Sequence, residues 1–135
     1  MRLVNKEELL VLYTITSAKD FLQVIEDIKQ ALSEIKFGVL WEMDIPSKLK
    51  EKGVNYEGQY RVLEVCNPQE AKKALETNIK VGYFLPCKIV IYVEDGSTKV
   101  GMVRPTALVQ MIGSELSEFA SGVEKLLISA INKGK

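Results

Sequence analysis

The chain has no histidine. That absence removes the Ser-His-Asp and Cys-His catalytic arrangements, every His-ligated metal site and the usual proton shuttle near neutral pH. Cysteine is scarce too: Cys66 and Cys87 are the only two in 135 residues, too few for the disulfide framework of a small secreted protein. There is no excess charge of either sign, because 18 basic residues balance 18 acidic ones. No overall field therefore draws the chain to nucleic acid or to an anionic membrane surface, and neither partner is expected. No apolar run approaches the length of a membrane span. The opening MRLVNKEELLVLYTI lacks a signal-peptide pattern, so the expected location is the cytoplasm. The GxxxxGK[ST], GxGxxG and CxxC motifs are all missing.

What is present is the composition of one ordinary globular domain, 47% hydrophobic and 27% charged. The whole of 1–135 reads as a single domain with a core of its own. Residues 9–16 are rich in β-branched and aromatic side chains and predict a strand. Ser17 to Asp20 resembles a capping box. Phe21, Val24, Ile25, Ile28, Ala31, Leu32 and Ile35 then recur at helical spacing, predicting a helix over 18–35. Phe37, Val39, Trp41, Met43 and Ile45 alternate with Gly38, Leu40, Glu42 and Asp44, which predicts a strand burying its Trp41 face and ending at Pro46.

Residues 59–66 predict the next strand. Asn67-Pro68-Gln69-Glu70 is a helix start with a cap, a proline in the first turn and an acidic residue three positions on. Residues 87–94 read as a central strand. Asp95-Gly96 is a tight-turn signal leading to a partner strand at 98–104. Leu116, Phe119, Ala120, Val123, Leu126, Leu127, Ala130 and Ile131 predict a closing helix over 115–132, while 103–114 gives no clear pattern. Hairpins flanked by helices make the fold class α+β, with helices packed on one face of a mainly antiparallel sheet.

The pair Cys66-Asn67-Pro68 and Pro86-Cys87 is the most distinctive local feature. Cys66 directly precedes a helix N-terminus, an environment that favours a thiolate. If the flanking strands are antiparallel neighbours, the two sulfurs lie close. If the intervening helix makes a parallel crossover, they lie at opposite ends. Simple burial of both thiols as small hydrophobes is the competing reading. Two thiolates do not complete a tetrahedral zinc site unless a dimer axis doubles them, so no metal and no cofactor is assigned. Asp44 is a candidate acid or acceptor at a pocket mouth, or a solvent-facing carboxylate before a turn. Tyr83, Lys88 and Arg104 are candidates for holding an anion.

The order Phe37-Gly38-Val39-Leu40, Asp44-Ile45, Cys66-Asn67-Pro68, Ala71, Ala74-Leu75, Gly82 and Leu85-Pro86-Cys87, then a Val/Ile-rich strand and the Asp95-Gly96 turn, resembles the domain-of-unknown-function 302 family. That resemblance implies a β-α-β(4)-α order, helices on one side of an antiparallel sheet, a homodimer, and Cys66 close to Cys87. It implies no reaction. Lys88 stands where relatives often carry Arg.

Three functions follow as expectations. The first is a homodimeric module binding a small molecule or anion, with Trp41, Cys66, Asn67, Pro86, Cys87 and Lys88 around the pocket and Asp44 at its rim. The second is a thiol-redox enzyme or sensor in which Cys66 attacks and Cys87 resolves. The third is a purely structural or assembly protein in which the cysteines only pack.

Overall fold

The computed structural model describes residues 6–135. Five strands form one antiparallel sheet: β1 (Leu12–Ser17), β2 (Gly38–Asp44), β3 (Tyr60–Cys66), β4 (Cys87–Glu94) and β5 (Ser97–Val103), in the order β1-β5-β4-β3-β2. The helices are α1 (Lys6–Val11), α2 (Phe21–Glu34), α3 (Ile45–Glu51), α4 (Pro68–Thr77), α5 (Pro105–Val109) and α6 (Ser117–Gly134). Setting aside the short helices, this is the β-α-β(4)-α order and an α+β fold. No helix among the described residues is long and apolar enough to cross a membrane.

The long helices α2 and α6 pack side by side on one sheet face. Their stripes, Val24, Ile25, Ile28 and Leu32 on α2 and Val123, Leu127 and Ile131 on α6, join Leu63, Val65, Ile89, Ile91 and Val100 in the main core. Gly134 permits the close approach of the two helices, since a Cβ there would stand 2.9 Å from the Ile28 backbone. The Asp95-Gly96 turn joins β4 to β5 with both residues at positive φ, 52° and 76°, as a primed hairpin turn requires.

Several sequence expectations need correction. The first strand starts at Leu12, and Lys6–Val11, which includes Leu9 and Leu10, is helical. Asp20 caps α2 rather than Ser17, accepting a hydrogen bond from the Gln23 backbone N–H at 2.9 Å. The main change lies in β2. Val39 pairs with Val65 and Trp41 with Glu64, so Leu40 is an extra residue in a β-bulge. One extra residue reverses the side-chain parity. Glu42 and Asp44 therefore share the helix-covered side with Val39, while Trp41 and Met43 point to the opposite face. Trp41 is 47% exposed rather than buried. Pro46 lies in the first turn of α3. The 103–114 segment holds α5 and a short 3-10 turn, Ser114–Leu116.

Candidate ligand-binding site

β3 and β4 are antiparallel neighbours, with Val65 in register with Cys87 and Glu64 with Lys88. Cys66 therefore lies diagonally beside Cys87, and the crossover alternative does not apply. The two thiols are free. Together with Asn67, Phe119 and Val123 they line a crevice of about 10 Å³, which is at most one water's worth of space.

Cys66 does stand before the N-terminus of α4, but Asn67 occupies that end. Its side-chain oxygen accepts hydrogen bonds from the Gln69 and Glu70 N–H groups at 3.1 and 3.3 Å. Burial pushes the Cys66 thiol up. Burial and then the neighbouring Cys66 push Cys87 up from 9.0 to about 11. This corrects the expectation of a stabilised thiolate, because desolvation outweighs the helix dipole. A rise of this size cuts the thiolate fraction at neutral pH about 100-fold. Iodoacetamide at pH 7.5 is accordingly expected to label Cys87 on the order of 100-fold more slowly than an unperturbed thiol. Mass spectrometry of timed digests reads that rate, and labelling at the free-thiol rate would refute it.

On the other side of Cys87 lies a larger space. A cavity of about 330 Å³ opens between the 83–86 segment, the adjoining ends of β4 and β5, α5 and α6. Val81, Phe84, Leu85, Met102, Leu108, Val109, Phe119, Val123 and Leu127 make its walls. Pro86, Cys87 and Lys88 join them, and the Leu85–Pro86 peptide is cis. Its polar end is formed by Glu64 and Lys88. Among the described residues neither of these side chains makes a hydrogen bond or ion pair. The chemistry on offer is that of a small apolar chamber with one charged end.

Of the sequence-predicted site residues, the structure therefore brings Pro86, Cys87 and Lys88 to this cavity. Cys66 and Asn67 reach only the crevice behind it. Trp41 lies on the far face of the sheet. Asp44 caps α3, accepting from the Ser47 N–H at 3.1 Å, and stands 3.6 Å from Arg61. Both therefore leave the proposed pocket, displaced by the bulge at Leu40. Arg104 is committed elsewhere. It donates to the Leu9 carbonyl at 3.2 Å, contacts Glu124 at 3.4 Å, and lies 5.4 Å from the Tyr13 ring centre. Tyr83, 88% exposed, stands at the rim of the cavity. The sequence analysis did not single out Glu64, Met102, Leu108, Phe119 or Val123. Only Phe119 and Val123 lay on a visible apolar stripe, and the convergence of all five depends on strand order and on α5 packing against α6.

The fold and cavity define a small α+β domain whose helices cover one sheet face, with an apolar chamber at the sheet's end. The sequence model of the family described as Domain of unknown function DUF302 matches residues 13–134. The chain is also similar to the crystal structure of an uncharacterized conserved protein DUF302 from Bacillus stearothermophilus. The two are 42% identical, with a TM-score of 0.88 over 92% of this chain and 98% of that one. This chain belongs to the DUF302 family. No curated protein matches it.

Proposed function

We propose that this protein is a small-ligand-binding module that works as a homodimer, its ligand held in the cavity beside Pro86, Cys87 and Lys88. The cavity itself carries the reading. Its 330 Å³ is within the lower range of small-molecule pockets, and an apolar wall with a few polar groups at one end is the usual composition of such sites. The ligand this chemistry suits has an apolar body and a polar end reaching Glu64 and Lys88. A bare anion is disfavoured, since the Glu64 carboxylate shares this end of the cavity with Lys88. The thiol-redox alternative finds no support in two thiols whose burial keeps them protonated.

Indole is a suitable probe, a flat apolar molecule with one polar N–H. A ligand at about ten times its dissociation constant stabilises a protein by about 1.4 kcal/mol. Thermal melting with saturating indole is expected to raise Tm by about 4 °C. An unchanged Tm up to the solubility limit would count against the reading.

A further inference from the structure

An antiparallel sheet covered by helices on one side normally shows water a polar second face. Here that face carries Trp41 and Met43 on β2, Tyr60 and Val62 on β3, Val90 and Tyr92 on β4, and Leu12 on β1, with Tyr56 beside them and the polar Thr14, Thr16 and Lys99 confined to β1 and β5. The rings of Tyr60 and Tyr92 are stacked with centres 5.1 Å apart. Leu12 and Val103 are each more than a third exposed. Glu64 and Lys88 form a cross-strand pair near the cavity end of this face.

We propose that a second copy of this chain packs on this open face, about a two-fold axis running parallel to the strands between β3 and β4. Such an axis exchanges β3 with β4 and β2 with β5. Glu64 and Lys88 are register partners and lie at one height, so each copy's Glu64 meets the other's Lys88. By the same register Val62 meets Val90 and Tyr60 meets Tyr92. One strand outward, Met43 falls over Gly101, next to the Thr14 side chain whose Oγ1 stands 3.0 Å from where a Cβ of Gly101 would be, and, with the same register continued, Trp41 falls over Val103. A twisted sheet is unchanged by a two-fold rotation about its central strand direction, so the two surfaces nest instead of diverging. The zero net charge of the chain puts no overall repulsion between the copies.

The arrangement rests on the homodimer reading above and adds to it. Glu64, Lys88 and Val103 line the cavity and lie on the open face. The second copy therefore closes the cavity at that end, with its Trp41 over Val103. Trp41 joins the site across the interface, from the partner.

Charge exchange tests this directly. Wild-type protein is expected to be a dimer by size-exclusion chromatography with light scattering. Lys88→Glu makes this cross-strand pair wholly acidic, and Glu64→Lys makes it wholly basic. Like charges set opposite each other are strongly unfavourable, so the dimer dissociation constant of each variant is expected to rise about 100-fold. Mixing the two variants is expected to restore dimers to within about tenfold of wild type, because the acidic face meets the basic one. A pairing confined to one chain cannot be rescued by mixing, since each chain keeps its own like-charged pair. Trp41→Asp, at an exposed position, gives an independent loss should either charge variant misfold. A wild-type dimer that survives both charge variants, or a mixture that stays monomeric, would overturn this face as the interface. A monomeric wild type would overturn the homodimer reading as well.

Discussion

Leu127→Ala is expected to lower the unfolding free energy by about 3 kcal/mol, the middle of the range for truncating a buried leucine. Leu127 is fully buried in the core that α6 shares with α2 and the sheet. It also lines the cavity beside Cys87. Its truncation therefore has two consequences. In a chain of this length Tm falls by about 10 °C. The cavity also widens, so ligands larger than indole gain affinity in the variant while the apo protein loses stability. Chemical denaturation measures the first effect and calorimetric titration the second. A loss below about 1 kcal/mol would mean that α6 is not seated on the sheet as described.

Arg61→Met is the second large effect. Arg61 lies on the helix-covered side, 18% exposed, and its guanidinium is 5.7 Å from the Phe21 ring centre. It is bonded to Glu42, which also meets Lys29 at 2.5 Å. Burial alone would push the Glu42 carboxyl up, but the hydrogen bonds from Lys29 and Arg61 outweigh it and hold it below 4.5. Methionine keeps the apolar contact with Phe21 and leaves Glu42 with Lys29 alone. The expected cost at pH 7 is about 2 kcal/mol, less than for a fully buried pair because water still reaches the site. The sign of the pH dependence follows. A depressed carboxyl contributes stability above its unfolded value, and that contribution disappears as pH falls through the folded value. The gap between variant and wild type should therefore narrow below about pH 4. Denaturant titrations at pH 7 and pH 3 measure it. A gap of equal size at both would remove the ion pair from the account.

Much of this fold was legible in the sequence, and the reasons are physical. The stripes of α2 and α6 show through because each helix buries one face only. β4 shows as a strand apolar on both sides because it is central. The Asn67 cap and the Asp95-Gly96 turn carry local chemistry that tertiary contacts do not override. Leu40 misled because nothing in Val39-Leu40-Trp41 announces a bulge, yet one inserted residue turns Trp41 outward and Glu42 inward. The end of α1 misled because Leu9, Leu10 and Val11 suit a strand by residue type. The cysteine pair was placed correctly as neighbours, and the family resemblance supplied that. The chamber beside them was not legible. Its walls come from five segments brought together by strand order, and no short motif records such a convergence.

The central claim is that the chamber behind Cys87 holds a ligand. The most direct measurement is a pair of indole titrations followed by ¹H–¹⁵N correlation spectra, one on the wild type and one on Leu108→Trp. Leu108 is a half-buried wall residue of α5, and a tryptophan there fills the space. The account predicts saturable shifts in the wild type, concentrated at Val81, Phe84, Leu108, Val109 and Phe119, and their loss in the variant. Shifts that are absent, scattered over the surface, or equal in the two proteins would contradict it.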